Sequence, residues 1–423
     1  MAGRGTKSGR NVAIATRAPA AYGLGMRIAF AIMKLFPGGG LQRDCVEIAR
    51  RCAARGHEVV VFTSYCDGSD VDGSDFAGDL EVVVLPPRPG SNHRMLEEFG
   101  LQFRFAAALQ RFDLRVGFDR LPDLDVLYCA DPSMRARMRR QPFRFLLPRY
   151  RAYHALEAST FAPARHTRVL CLSPRQRDEY GAAWGTPPGR MWLLPPTVAA
   201  ARRRPDCRRN GVREAVRASL GVPAGCVLWL AVGVQPRTKG FDRTLRALAA
   251  FPQARLVIAG LAEARSPAAR ALAAQARRRG VAGRITFLGH REDIPDLMAA
   301  SDVLVHPARN DTTGTVILEA VINGLPVVTT AACGYAAHVA EAGAGAVVAE
   351  PFRHRALLAA LSRAQDAALR ERWSTAGEAY GADPALYRGR AQAAEIIMAA
   401  ARRARPPSTA RPVATIAARL VSR

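Results

Sequence analysis

The sequence predicts an α/β protein built from two doubly wound domains, each a parallel sheet covered by helices. Buried-strand patterns alternate with helical patterns from RIAFAIM (27–33) to MWLLPP (191–196). A second alternating series runs from CVLWLAVGV (226–234) to LPVVTT (325–330). Alternation of this kind is typical of parallel sheets wrapped by helices. The length of 423 residues also exceeds what one core usually organises, which favours two domains.

The first domain is predicted at residues 26–197. RIAFAIM is its first strand, FPGGG (36–40) breaks that strand, and LQRDCVEIARRCAARG (41–56) is a helix closed by Gly56. Further strands are predicted at EVVVFTS (58–64), LEVVVLP (80–86), LRVGF (114–118), DVLYCA (125–130), RVLCLS (168–173) and MWLLPP. A C-terminal helix at about 384–403 is expected to pack back onto this domain.

The second domain is predicted at residues 213–380, after a basic linker at 198–213 that has no apolar period. Its helix at 266–280 has Pro in the first turn and Gly at the end. The other elements are the strands 226–234, 254–260, 284–289, 302–307 and 325–330 and the helices 241–251, 293–300 and about 313–322. Ligands of open parallel sheets bind at the carboxyl ends of strands, so binding residues are expected in the turns that follow strands.

The net charge of +25 comes almost entirely from arginine, since lysine occurs only at positions 7, 34 and 239. One explanation is codon usage that favours arginine over lysine. The other is attraction to a polyanion such as nucleic acid, a phosphorylated substrate or an anionic membrane. The eight cysteines form no C-x-x-C pair, which favours free thiols over a zinc site. No apolar run approaches the roughly 18 residues of a membrane span.

Residues 1–25 contain no acidic residue and are predicted to be a disordered basic extension. A start codon assigned too far upstream would give the same pattern, and a transit peptide is a further alternative. Arg17 and Arg27 leave no clean apolar stretch for a signal peptide.

Two turns after strands are candidate phosphate sites. The glycines 38–40 join the first strand to its helix, where backbone N–H groups can approach an anion closely. The alternative is a tight turn without a ligand, and the absence of G-x-G-x-x-G argues against a dinucleotide fingerprint. In VGVQPRTKGFD (232–242), Arg237 and Lys239 suit a diphosphate. The alternative there is a solvated basic turn.

The stretch DTTGTVILEAVINGLPVV (311–328) carries two carboxylates, Asp311 and Glu319, at the edge of an apolar helix. The first N–H groups of that helix, near Thr313 and Gly314, have no intrahelical partners and could hold phosphate oxygens. Carboxylates accept hydrogen bonds from sugar hydroxyls, so one could bind a ribose and the other a hexose. The alternative makes Asp311 a helix-entry residue and Glu319 a solvated charge.

Residues 135–168 hold nine arginines and one acid, Glu157, interleaved with aromatic residues and leucines. This composition suits an anionic membrane surface. Single-stranded nucleic acid and an ordinary solvated face are the alternatives. The residues predicted to meet the membrane are Arg137, Arg139, Arg140, Phe143, Arg144 and Phe145.

Taken together, these segments resemble the family-4 retaining glycosyltransferases of GT-B fold. Asp311-x7-Glu319 followed by NGLPVV is similar to their E-x7-E signature. FPGGGLQRD, LLPRYRAYHALEASTF, DLMAASDVLVHPA and TTAACGYAAHVAEAGAGAVVAEPF resemble the lipopolysaccharide core heptosyl-I glucosyltransferases, from about Met26 to Tyr387. The resemblance implies two Rossmann-like domains facing a cleft, the first on the acceptor side and the second binding a nucleotide sugar.

The resemblance also implies roles for single residues. Glu319 would bind the nucleotide ribose, Asp311 the transferred sugar, and Lys239 the diphosphate. Asp44 matches an acidic residue near the acceptor, and Lys239, Asp311 and Asp44 are the residues we expect to carry the chemistry. Asp311 stands where the family has Glu, which shortens its reach by one methylene.

The remaining donor contacts follow in the same way. Gly39 and Gly40 match a loop over the donor phosphates, and Arg291 lies where the nucleobase is held. The family's usual arginine five positions before the lysine is Val234 here. Arg237 is the residue we expect to supply that charge.

The implied reaction moves a hexose, glucose from UDP-glucose, onto a heptose of the lipopolysaccharide inner core, with retention. The implied partners are a nucleotide sugar, a phosphorylated core acceptor and an anionic inner-membrane surface, with no nucleic acid and no metal or other cofactor. The implied location is cytoplasmic, peripheral on the inner membrane. Two alternatives stay open: a family-4 transferase of another surface polysaccharide, and a non-catalytic basic protein that binds membrane or nucleic acid.

Overall fold

The computed structural model describes residues 25–37, 39–67, 78, 80–262 and 266–401, and only the backbone of Arg140 and Pro142. The extension predicted at 1–25 lies outside the described residues except for Gly25. Gly38, the first glycine of the predicted phosphate turn, also lies outside them.

The first sheet has seven strands in the order β3-β2-β1-β4-β5-β6-β7 within the described chain. The strands are β1 Arg27–Ile32, β2 Glu58–Thr63, β3 Glu81–Val84, β4 Leu114–Gly117, β5 Val126–Cys129, β6 Arg168–Cys171 and β7 Met191–Leu193. The helices between them are α1 Gly40–Ala53, α2 Asn92–Leu109, α3 Met134–Arg140, α4 Pro148–Phe161 and α5 Pro174–Trp184.

Among the described residues, the second sheet has six strands in the order β10-β9-β8-β11-β12-β13. The strands are β8 Val227–Val232, β9 Ala254–Ala259, β10 Ile285–Gly289, β11 Val303–His306, β12 Val327–Thr330 and β13 Gly345–Val348. The helices are α6 Val212–Ser219, α7 Phe241–Leu248, α8 Pro267–Arg278, α9 Ile294–Ala300, α10 Thr315–Ile322, α11 Ala336–Glu341, α12 His354–Arg363, α13 Ala367–Tyr380 and α14 Gly389–Ala401.

Strand β8 shows why the second sheet is covered on both faces. Its side chains alternate, so Leu228 and Leu230 join one core cluster with residues of α9, α10 and α11. Trp229 and Ala231 join another cluster with residues of α7, α8 and α12. A strand that is apolar on both faces is typical of a doubly wound sheet, and this confirms the predicted fold class.

The described chain divides into two compact units. One contains the residues up to Leu127 together with those from Ala394 onward, and the other contains Tyr128–Ala393. The boundaries at 26–197 and 213–380 stay a prediction. No helix of the described residues is long and apolar enough to span a bilayer.

The segment predicted as a linker is packed more closely than its composition suggested. It contains two short 3-10 helices, Ala200–Arg202 and Pro205–Arg208, and Cys207 is fully buried. The Asn323 amide donates to the carbonyl oxygen of Arg202 at 2.8 Å, and its oxygen accepts from the Arg204 N–H at 2.6 Å. These hydrogen bonds hold the segment against Asn323, although its sequence has no apolar period.

Candidate functional site

Three loops at the carboxyl ends of β8, β11 and β12 form the candidate site. Lys239 follows β8, Asp311 follows β11 and Cys333 follows β12. The chain runs from β8 to β9 on one side, whereas β11 lies on the other side of β8. The three loops therefore lie at the topological switch point, where open α/β sheets bind their ligands.

Contacts between the loops after β8 and β11 hold Lys239 in place. Gly240 has φ +74°, and a Cβ there would lie 2.0 Å from the Pro307 carbonyl oxygen, so only glycine fits. Arg309 forms a bidentate ion pair with Asp242, at 2.7 and 2.8 Å. The Arg309 N–H also donates to the Thr238 carbonyl oxygen at 2.8 Å.

The loops bring Lys239 and Asp311 into direct contact. Lys239 Nζ lies 2.6 Å from Asp311 Oδ2. His306 Nε2 lies 2.9 Å from the same oxygen, and this side chain is fully buried. Burial favours the neutral carboxyl, but the bond from His306 and the charge of Lys239 outweigh it and hold the pKa of Asp311 well below its usual value. Asp311 is therefore a charged acceptor whose side chain is only 11% exposed.

Cys333 completes a cluster that the spacing of the cysteines did not indicate. Ligand atoms of His306, Asp311 and Cys333 all lie within 4.8 Å of one another. Burial lowers the pKa of His306, but its bond to Asp311 and the neighbouring Cys333 thiol raise it above its usual value overall. These donor types could hold a metal ion. The Lys239 ammonium already balances the charge of Asp311. That the reaction needs no metal stays a prediction.

Glu319 lies inside α10 and is only 8% exposed. Arg202 Nε lies 3.7 Å from its Oε1. The Asn323 amide donates to the Glu319 carbonyl oxygen at 2.7 Å, which ties this end of α10 to the segment that carries Arg202. The alternative of a solvated helix charge is therefore wrong. Its predicted contact with a ribose stays a prediction.

The start of α10 lies slightly later than predicted. Gly314 caps the helix with φ +71° and Thr315 is its first residue, whereas the sequence indicated a start near Thr313. Gly314 has a left-handed conformation that ends the loop, so the helix begins two residues later than predicted. Thr313 Oγ1 lies 3.3 Å from Thr315 Oγ1, so both hydroxyls stand at the helix entrance.

Within the part of the chain that the structure describes, no hydrogen bond joins the side chain of Arg237 or Arg291 to Lys239 or Asp311. Arg237 is exposed, and its carbonyl oxygen accepts from Arg309 Nη1 at 2.8 Å. Arg291 follows β10, and its Nε donates to Asp293 Oδ1 at 2.7 Å. Val234, which stands in the place of the family arginine, is 69% exposed. The roles of Arg237 and Arg291 stay predictions.

Gly39, Gly40 and Asp44 belong to the other compact unit. Gly39 precedes α1 with φ −80°, and Gly40 is the first residue of α1. A Cβ on Gly40 would meet no atom within 4 Å. Asp44 is buried in α1 at 8% exposure. Neither the conformation nor the packing of the described chain requires glycine at position 40, and the contact of Gly39 and Gly40 with donor phosphates stays a prediction.

We expect Gly40→Ala to separate stability from donor binding. The melting temperature should stay the same or rise slightly, because alanine suits a helix better than glycine does. The KM for a nucleotide sugar should rise roughly tenfold, the value of about one bond to a charged phosphate. Gly189→Ala is the matched control, because a Cβ there also meets no atom within 4 Å. An unchanged KM in Gly40→Ala would favour the tight-turn alternative.

The arginine-rich stretch exposes several apolar side chains. Phe143 is 85% exposed, Leu146 75% and Phe145 51%. Not all the arginines are free to meet a lipid, because Arg139 donates to the carbonyl oxygens of Ala182 and Ala183 at 3.1 and 3.2 Å. Arg144 donates to the Tyr150 hydroxyl. Arg137 is exposed, and the side chain of Arg140 lies outside the described residues.

Glu157, the single acid of that stretch, is fully buried. It accepts from Ser133 Oγ at 2.6 Å, from the Arg135 N–H at 3.2 Å and from Trp184 Nε1 at 2.6 Å. The Glu157 carboxylate thus holds the N-terminus of α3 against α5. Helix α3 carries four of the nine arginines of this stretch.

Sequence reasoning missed several residues that build the site. Ser173 Oγ donates to the Thr312 carbonyl oxygen at 2.9 Å, and Arg175 donates to the Ala332 carbonyl oxygen at 2.6 Å. His306 was also missed, although a polar residue that ends an apolar strand was an available signal. Bonds to main-chain oxygens, such as those of Ser173 and Arg175, leave no pattern in the sequence.

Comparison with known proteins supplies the family. The family described as "Glycosyl transferases group 1" matches residues 212–380, and "Glycosyltransferase Family 4" matches residues 38–202. The chain is 35% identical over 375 residues to the lipopolysaccharide glucosyltransferase WaaG of Escherichia coli, covering 88% of this chain and 98% of that protein. A D-inositol 3-phosphate glycosyltransferase of Mycolicibacterium gilvum is 34% identical over 53% of this chain and 46% of its own length.

Solved structures agree with the fold. The crystal structure of WaaG superposes with a TM-score of 0.79 at 34% identity, covering 88% of this chain and 99% of that one. The Anabaena protein Alr3699/HepE in complex with UDP-glucose superposes with a TM-score of 0.68 over 88% of this chain and 99% of that one. At 20% identity, the second comparison supports the fold alone.

Proposed function

Because the chain belongs to the glycosyltransferases of group 1 and family 4, with their GT-B fold, we propose that it transfers glucose from UDP-glucose onto a heptose of the lipopolysaccharide inner core. The similarity to a lipopolysaccharide glucosyltransferase over 98% of that protein's length supports this acceptor class. The donor and the heptose come from the resemblance of the sequence motifs.

The observation that carries the proposal is the set of charged residues at the switch point. Lys239 and Asp311 lie 2.6 Å apart, and Glu319 is buried in the helix that follows. In the proposed complex Lys239 binds the diphosphate, Asp311 accepts from the hexose and Glu319 accepts from the ribose. Arg237 adds charge near the diphosphate, and Arg291 lies beside the nucleobase.

The proposed mechanism retains the configuration of the sugar. The acceptor hydroxyl attacks from the face that the diphosphate leaves, and a diphosphate oxygen takes its proton. Negative charge grows on the diphosphate as the glycosidic bond breaks, so Lys239 and the N–H groups at Thr313 and Gly314 stabilise the transition state. Asp44 is proposed to lie near the acceptor. Because these groups supply the positive charge, the reaction is proposed to need no metal.

A screen of nucleotide sugars tests the function. The parent protein is mixed with UDP-, GDP-, ADP- and CMP-sugars, and donor hydrolysis and the melting temperature are measured with and without a chelator. UDP-glucose should stabilise the protein in a saturable way, and the chelator should change nothing. Equal stabilisation by any polyanion, with steep loss in salt, would instead favour a non-catalytic basic protein.

We propose that the protein works on the cytoplasmic face of the inner membrane, bound peripherally through residues 137–147. Exposed aromatic and leucine side chains beside arginines suit the headgroup region of an anionic bilayer, where each cation adds about 1 kcal/mol. The net charge of +25 supports the same location, where the proposed acceptor, a phosphorylated glycolipid, would lie.

We expect Phe143→Ser with Leu146→Ser to weaken binding to vesicles that carry anionic lipid. Each side chain contributes apolar area that a bilayer would bury, so affinity should fall roughly tenfold or more. Raising the salt concentration should weaken the parent as well, because charges are screened within about 8–10 Å. Flotation of vesicles with and without anionic lipid measures both effects.

A matched control comes from α2, where Phe105 and Leu109 are each 70% exposed. Phe105→Ser with Leu109→Ser removes similar apolar area from another surface and should leave flotation unchanged. If the two double variants behave alike, residues 137–147 are an ordinary solvated face and codon usage explains their composition.

A further inference from the structure

We propose that His306 is a positioning residue, which fixes the Asp311 carboxylate for the hexose while Lys239 turns toward the diphosphate. This inference rests on the proposed function and deepens it. It adds a residue that the sequence motifs did not indicate, and it explains why a buried histidine ends β11.

Two donors converge on one oxygen of Asp311. Lys239 Nζ lies 2.6 Å from Oδ2, and His306 Nε2 lies 2.9 Å from that same atom. Within the described residues Oδ1 accepts no hydrogen bond. A carboxylate has lone pairs on both oxygens, so Oδ1 is left to accept from a sugar hydroxyl.

The two donors differ in how firmly they are held. The His306 side chain is fully buried at the end of a central strand, whereas the Lys239 side chain is 23% exposed on a flexible stem. His306 Nδ1 is buried and forms no hydrogen bond within the described residues, so the ring contacts Asp311 through Nε2. The ring meets two polar groups of the cluster, the Asp311 carboxylate and the neighbouring Cys333 thiol, and its bond at 2.9 Å holds Asp311.

A diphosphate would compete with Asp311 for Lys239, because the ammonium is a compact charge that phosphate oxygens attract. If Lys239 moved without His306 in place, the buried Asp311 would lose its compensating charge or follow the lysine. Backbone bonds fix only the main chain, with Asp311 N–H donating to Ala332 O at 3.2 Å. His306 lets Lys239 serve the diphosphate without disturbing the hexose contact.

The bond from His306 acts on a side chain that is shorter at this position than in the resembling family. Asp311 reaches one methylene less far than the glutamate of the resembling family. A bond from His306 sets the carboxylate plane, and a fixed plane matters more when the side chain cannot extend to find the hexose. The choice of hexose would then depend on His306 as well as on Asp311.

His306→Gln and His306→Asn form a matched pair for the test. The glutamine amide nitrogen reaches close to the place of Nε2, whereas asparagine is one methylene too short, and both bury a similar polar group. Affinities for UDP and for UDP-glucose are measured by calorimetry on the full chain, together with kcat, KM and the melting temperature. UDP lacks the hexose and reports on the nucleotide part alone.

We expect His306→Asn to lose roughly 10- to 100-fold in affinity for UDP-glucose, the value of one bond to a charged group. Its affinity for UDP should stay within about twofold of the parent's, and His306→Gln should recover most of the loss. Equal losses for UDP and UDP-glucose, or no loss for either, would overturn the positioning role. If the parent itself binds neither compound, the proposed function fails instead.

Discussion

Replacing Lys239 with alanine is expected to lower kcat by about 100- to 1,000-fold, which is typical of removing one group that stabilises transition-state charge. The charge on the diphosphate increases as the glycosidic bond breaks, so the ammonium acts more strongly on the transition state than on the bound donor. KM should change much less. Steady-state kinetics with UDP-glucose and an inner-core acceptor measure the two constants.

The control is Arg246→Ala, which removes one positive charge from an exposed position of the helix that follows the same loop. It should keep the parent's kcat, since it lies outside the cluster. A Lys239→Ala protein that retains its turnover and only requires more donor would show that the lysine binds the ground state, and the role proposed for it would be wrong.

Replacing Glu319 with glutamine is expected to weaken donor binding by roughly 10- to 100-fold with the fold intact. Glutamine keeps the shape of the side chain but removes the charge that strengthens bonds from the ribose hydroxyls. Because the ribose is common to both compounds, the affinities for UDP and for UDP-glucose should fall together. Calorimetry measures both, and circular dichroism checks the fold.

The ion pair with Arg202 provides the control for Glu319. If Glu319 serves only to hold Arg202, then Arg202→Gln should weaken binding as much as Glu319→Gln does. We expect a clearly smaller effect, because the 3.7 Å separation makes the pair a weak contact. Unchanged nucleotide affinity in a folded Glu319→Gln protein would remove the ribose assignment.

The fold was predictable because the signals for its strands and helices are local in the sequence and recur along the chain. Strands such as β8 and β12 are short apolar runs, and the helices between them carry start and stop signals such as Pro267 and Gly280. The helix α6 was not predicted, because its apolar residues with partial burial are limited to Val212 and Val216.

Residues of the candidate site were predictable where a charged side chain interrupts an apolar or lysine-poor sequence. Residues whose contacts depend on packing were not predictable. Lys239 and Asp311 follow the strands β8 and β11, which are neighbours in the sheet and bring the two side chains together. The contacts of His306 and Cys333 depend on loops that return to one point from separate strands. Glu157 was assigned to a basic surface, but it is buried beneath α3, and no sequence pattern marks a carboxylate that caps a helix distant along the chain.

Transfer of labelled glucose to an inner-core heptose is the direct test of the proposed reaction. UDP-glucose labelled in the sugar is incubated with the protein, anionic vesicles and inner-core lipopolysaccharide that ends in heptose, and label in the lipid fraction is counted. We expect label on the heptose, with the α configuration of the donor retained, and loss of that label in Lys239→Ala. No transfer to that acceptor from UDP-glucose, by a folded protein bound to the vesicles, would contradict it.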